Sequence, residues 1–79
     1  MELLKRFLSS MTVNERKDFA ARCRTSWPFL RNIAYGYRLA GEKLCVSIEK
    51  ESGGAVTRRD LRPDDWHEIW PELKGPPNA

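Results

Sequence analysis

Two cysteines and one histidine in 79 residues leave little from which to build a disulfide framework or a metal centre. Cys23 and Cys45 lack metal-ligand spacing, and His67 has no second histidine or cysteine nearby, so no metal site is expected. Both thiols are expected to be buried and reduced, which suits a cytoplasmic setting. No apolar run approaches the roughly 18 residues of a membrane span, so no membrane partner is expected. The start, Met1-Glu2-Leu3-Leu4-Lys5-Arg6-Phe7-Leu8, places its acid before its bases and has no small-residue cleavage site. A signal peptide is therefore not expected. There is no glycine-rich phosphate loop, and no nucleophile has a base and an orienting group at recognisable spacing. Neither cofactor nor catalysis is expected. A chain this short also has no room for a second domain or a deep cleft.

What the chain does have is charge, unevenly spread. Residues 1–40 carry eight basic and three acidic side chains, net +5, whereas residues 63–79 carry one and four, net −3. The amino-terminal half is suited to face a polyanion that the carboxy-terminal end would repel.

The apolar pattern predicts short helices in a single domain over residues 1–73, with a flexible tail over 74–79. Leu3, Leu4, Phe7 and Leu8 form one stripe on a helix over about 2–9, with Lys5 and Arg6 on the other side. Thr12-Val13-Asn14-Glu15 fits a capping box and starts a second helix, whose buried face is Phe19, Ala20 and Cys23. A third helix is anchored by Leu30 and Ile33. Thr25 or Ser26 caps it, Pro28 falls in its first turn, and Gly36 supplies a left-handed exit. Over 42–51, Leu44, Cys45 and Ile48 make a helical stripe ending at Gly53-Gly54. Leu44, Val46 and Ile48 also alternate as a strand would, which keeps open a hairpin at about 43–57. Glu42 and the flanking helix formers favour the helix. A final helix is expected from Pro63 to Trp70, with Trp66 and Trp70 on one face.

Residues 16–35 hold the informative unit: helix, tight turn, helix. Phe19, Cys23, Thr25, Leu30 and Ile33 have the spacing by which two crossed helices interlock, and Ala20 lets their backbones approach. Such a pair presents the first turn and outer face of its second helix to the DNA major groove. Ser26, Trp27, Arg31 and Asn32 lie on that face. Arginine pairs bidentately with guanine, and asparagine with adenine.

Phe19-Ala20-Ala21-Arg22-Cys23-Arg24-Thr25-Ser26, Leu30-Arg31-Asn32-Ile33-Ala34-Tyr35-Gly36 and Ile48-Glu49-Lys50 resemble the Cro/CI-type helix-turn-helix proteins. Gly54-Ala55-Val56-Thr57-Arg58-Arg59-Asp60-Leu61-Arg62-Pro63 is similar to the YdaS-like branch, small phage and prophage regulators sometimes called antitoxins. The resemblance spans roughly residues 1–72. It implies an all-α, five-helix, lambda-repressor-like domain that binds double-stranded DNA as a homodimer on a short operator and represses transcription. It also implies a place in the bacterial nucleoid or a phage-infected host cell. By position, base reading falls to Ser26, Trp27, Arg31 and Asn32, and backbone contact to Arg22, Tyr35, Arg38 and Lys43. Arg24 departs from the pattern: it stands where the family often has glycine in the turn. Either it takes a left-handed conformation at some cost, or the turn is shaped differently.

Other features have plainer readings. Tyr35 and Tyr37 are expected to shield the core from the side, with one hydroxyl near a phosphate. Arg58, Arg59 and Arg62 are interleaved with Asp60, Asp64 and Asp65, which points to a charge-laced surface ahead of a phosphate site. Trp66, Ile69 and Trp70 either fold back onto the first helix or form an exposed patch. As a patch they would pair two subunits or, in an antitoxin or adaptor, hold a protein partner.

Overall fold

The computed structural model describes residues 1–74, and within them all regular structure is helical. Helix α1 runs Glu2–Ser9, α2 Val13–Arg22, α3 Trp27–Ala34 and α4 Glu42–Glu51. Two one-turn helices follow, α5 Arg58–Leu61 and α6 Trp66–Ile69, and Pro71–Lys74 forms a 3-10 turn. The hairpin considered for 43–57 is thus replaced by α4. Of the expected tail, Lys74 closes the 3-10 turn, and residues 75–79 lie outside the described residues.

Local chemistry explains the helix boundaries. Thr12 and Glu15 close the expected capping box: the Glu15 N–H donates to Thr12 Oγ1 at 3.1 Å, and the Thr12 N–H to Glu15 Oε1 at 2.8 Å. Those bonds, the backbone one foremost, hold the Glu15 carboxyl below its ordinary pKa. At α3, Ser26 Oγ accepts from the Phe29 N–H at 3.2 Å, and Pro28 sits in the first turn.

The carboxy-terminal segment corrects one expectation. The helix expected over Pro63–Trp70 is shortened to α6, and an additional one, α5, precedes Pro63, so the helices number six rather than five among the described residues. Thr57 and Asp60 form a second capping box, which starts α5 at Arg58, five residues before Pro63. The ring of Pro63 disfavours helical geometry in the residue before it, and Arg62 leaves the helix at φ −130°, ψ 64°.

Leu4, Leu8, Phe19, Leu30, Ile48 and Val56 fill the core, together with both cysteines. Leu3 lies at the margin of the α1 stripe, 40% exposed, while Phe7 packs edge-on against Phe19 with ring centroids 5.3 Å apart. Burial pushes the Cys23 and Cys45 thiols up to about 11, so both are protonated at neutral pH. Trp70 joins the core at 8% exposure, and Trp66 and Ile69 are half-buried. The Arg58 guanidinium of α5 lies 5.4 Å from the Trp70 ring centre.

Candidate nucleic-acid interface

The link between α2 and α3 is a hydrogen-bonded reversal. The Arg24 N–H donates to the Ala21 carbonyl at 2.9 Å, and the Thr25 N–H to the Ala20 carbonyl at 3.0 Å, the paired bonds of a Schellman cap. That cap requires a left-handed residue after the last helical one. Arg24 takes it, at φ 62°. The first of the two readings offered for Arg24 therefore holds. The same pair of bonds closes α3 at Gly36 and α4 at Gly53, where glycine adopts φ 82° and 65° without a Cβ to crowd the backbone. With Phe19, Ala20, Cys23, Leu30 and Ile33 all buried between them, α2 and α3 interlock as two crossed helices.

The expected base-reading residues share α3 but not one environment. Ser26 is exposed, with its oxygen engaged in the cap. Trp27 is half-buried, and the Arg16 guanidinium lies 5.6 Å from its ring. Arg31 is exposed and sits 5.9 Å from the Tyr35 ring. Asn32 is half-buried, and its backbone carbonyl accepts from the Tyr37 N–H at 2.8 Å. Trp27 and Arg31, one helical turn apart, line a common groove.

The expected backbone-contacting residues are all exposed. Arg22 is already ion-paired, with Asp18 at 3.1 Å and Glu51 at 3.3 Å, which reduces its attraction for a second anion. Arg38 and Lys43 have no carboxylate within 4.0 Å among the described residues. Tyr35 and Tyr37 stack on each other at 6.5 Å and are 53% and 73% exposed. They project rather than shield the core, because the chain turns sharply at Gly36 between them.

Two cationic grooves result. One, of about 390 Å³, runs between α1 and α3 and is lined by Lys5, Arg16, Trp27, Arg31 and Tyr35. The other, of about 490 Å³, lies between the end of α2 and α4 and holds Arg22, Arg24, Lys43, Lys50 and Glu51. Sequence reasoning missed Lys5 and Arg16. It placed Lys5 on the polar side of α1, where the approach of α3 half-buries it, 4.8 Å from the Tyr35 ring. No local pattern carries that signal, because the neighbour comes from thirty residues away.

At the other end, the three arginines expected to lace the surface are consumed internally. Arg58 Nε pairs with Glu49 Oε2 at 2.5 Å. Arg62 grips Asp65 through two nitrogens, at 3.0 and 2.6 Å, and donates a third bond to the Ala40 carbonyl at 2.7 Å. Arg59 donates to the Leu73 carbonyl and lies 4.3 Å from the Trp66 ring. His67 stands beside Glu68 at 4.0 Å, with the Trp66 ring edge-on to it.

This architecture, a small all-helical domain around α2, a tight turn and α3, defines a helix-turn-helix protein. The chain is 31% identical over 61 residues to a prophage transcriptional regulatory protein of Escherichia coli (strain K12), covering 77% of this chain and 92% of that protein. It belongs to that protein's family. No family model matches the chain. Among the described residues, no helix is long and apolar enough to cross a membrane.

Proposed function

We propose that the chain is a sequence-specific DNA-binding transcriptional regulator, a phage or prophage repressor of the Cro/CI type and its YdaS-like branch. It acts in the bacterial nucleoid or in an infected host cell. The observation that carries this reading is the α2–turn–α3 unit, flanked by cations such as Arg31, Arg38 and Lys43 that have no carboxylate partner among the described residues, in a chain related to a transcriptional regulatory protein. In this reading α3 enters the major groove, Arg31 and Asn32 read base edges, and Ser26 and Trp27 contact the groove wall from the first turn. Tyr35, Arg38 and Lys43 hold phosphates, and so set register and salt dependence; Arg22 joins them only by giving up its carboxylates.

A single domain reads too few base pairs to stand out against a genome, so the functional unit is a homodimer placing two copies of α3 about 34 Å apart, in successive turns of the major groove. Repression is then steric exclusion of polymerase. The fold back of Trp70 into the core removes the central anchor from the alternative reading, a protein-binding adaptor working through Trp66, Ile69 and Trp70.

Selection from a random duplex pool tests the proposal. A two-fold-symmetric site is expected, bound at least about a thousandfold tighter than scrambled DNA at physiological salt. Arg31→Ala and Asn32→Ala are each expected to lose about 10- to 100-fold in affinity, and to relax the preference at one base pair of each half-site. Parent-like affinity in both variants sinks the base-reading assignment. Weak, salt-sensitive binding with no consensus sinks the regulator and turns the search to a protein partner.

A further inference from the structure

The groove between α1 and α3 plays no part in the assignments above apart from Arg31, Trp27 and Tyr35, yet its charged lining is of one sign. Lys5 from α1, Arg16 from α2 and Arg31 from α3 converge on it, and no acidic side chain lines it. Not one of the three has a carboxylate within 4.0 Å among the described residues. Arg6, Arg22, Arg58 and Arg62 are held by carboxylates, whereas the three cations gathered in this hollow are held by something other than ion pairing. Aromatic rings do the holding: Lys5 and Arg31 lie over Tyr35 and Arg16 over Trp27, at 4.8, 5.9 and 5.6 Å.

Arg16 is the most constrained member. Its Nε donates to the Leu8 carbonyl at 2.8 Å, which ties α2 to the end of α1 and leaves both Nη atoms of the guanidinium without a partner among the described residues. It also packs against Trp27 in the first turn of α3. A group already tied to α1 and packed against Trp27, with a guanidinium edge left over, is suited to accept an anion without further ordering.

We propose that this groove is a phosphate-binding site, with Lys5 and Arg16 as its binding residues, and that its occupant is a phosphodiester of the same duplex that α3 reads. It rests on the DNA-binding reading above. The helix beside the recognition unit then becomes part of the grip: α1 and α2 hold one strand while α3 lies against the bases. Occupation of the groove also couples phosphate binding to the setting of Trp27, since Arg16 touches both.

The test is the salt dependence of duplex binding by the full chain, comparing the parent with Lys5→Gln and Arg16→Gln. Each lost phosphate contact should lower the slope of log affinity against log salt by about 0.9. Each variant is expected to lose about 3- to 10-fold for the selected site and for scrambled DNA alike, with the consensus unchanged. Arg16→Gln also removes a structural bond, so its melting temperature is measured beside it; the Lys5 ammonium makes no hydrogen bond among the described residues, and Lys5→Gln serves as the clean variant. A parent that binds duplex DNA while Lys5→Gln keeps its slope and affinity overturns the proposal and leaves the regulator standing.

A parent that binds no duplex at all overturns the regulator instead. The groove is then judged by inorganic pyrophosphate, followed by NMR at the Trp27 indole and the Arg16 Nε–H. Shifts that disappear in Lys5→Gln keep the groove as a phosphate site but make its source a small phosphorylated molecule rather than DNA. Absent shifts remove the site altogether.

Discussion

From α1 to the start of α4, the cations Lys5, Arg16, Arg24, Arg31, Arg38 and Lys43 have no carboxylate within 4.0 Å among the described residues. From Thr57 to Trp70, each of the three arginines is committed to a carboxylate, a carbonyl or a tryptophan face. The same residue type thus does two jobs in one small domain. In the first region it is presented, its charge left for an outside anion. In the second it is a fastener, compensating for helices of one turn that cannot hold themselves in water. Charge balance makes the division possible: residues 63–79 are net −3 and supply Asp65 to Arg62, while residues 1–40 are net +5, and their acids pair with no cations but Arg6 and Arg22 among the described residues.

If the second region is a clamp, damage there should cost stability and leave the DNA preference of the folded fraction alone. The largest effect is expected from Trp70→Ala. It removes a side chain 8% exposed, over which Arg58 lies, and should cost about 3 kcal/mol, measured by urea denaturation. A cost below about 1 kcal/mol would mean that the ring closes over the core without supporting it, and would restore it as a candidate contact for a partner.

Arg62→Ala comes next. Its guanidinium, only 12% exposed, joins Asp65 to the Ala40 carbonyl and so ties the loop before α4 to the loop before α6. Losing these bonds and stranding a buried carbonyl should cost about 2 kcal/mol, a fall of about 8–16 °C in melting temperature for a domain this size. The pair also has a pH signature. Hydrogen bonding from Arg62 holds the Asp65 carboxyl below its ordinary value. A carboxyl whose folded pKa is depressed stabilises the fold above its unfolded pKa, and the stabilisation fades as pH falls below about 4 toward the folded value. Arg62→Ala should therefore flatten the acid limb of the stability curve. An unchanged limb would show that Asp65 is not held.

Much of the presenting region was legible, because its signals are local. Thr12 with Glu15, Ser26 with Pro28, and Gly36 mark helix ends by chemistry that acts within four residues. The fastening region was read less well. Pro63 drew the expected helix start toward itself, although Thr57 and Asp60 were an equally local capping box beginning three residues after the preceding glycine pair. The grooves were not legible at all. Lys5 and Arg16 meet Tyr35 and Trp27 only because α1 and α2 cross α3, and a pairing made by tertiary approach leaves no spacing to count. Nor did the tyrosines declare themselves: Tyr35 and Tyr37 look like core shields until the reversal at Gly36 turns both outward.

The smallest expected effect sharpens the comparison most, because it asks what the chain gives up to keep a cation on display. Three helices end in the same Schellman cap, two of them at glycine and one at Arg24. A left-handed arginine costs about 1 kcal/mol relative to glycine, through the crowding of its Cβ against the backbone. Against this, Arg24 is exposed, lines the groove with Lys43 and Lys50, and has no carboxylate partner among the described residues. Arg24→Gly should then raise stability by about 0.5–1 kcal/mol in urea while lowering the salt slope of DNA binding by about 0.9. Gain in stability with the slope unchanged would mean that the strain serves nothing in binding. Loss of stability would mean that the arginine side chain, and not its backbone, holds the turn. Only the combination of a more stable fold with a weaker, less salt-sensitive grip fits a region whose positive charges are kept for an outside anion at the fold's own expense.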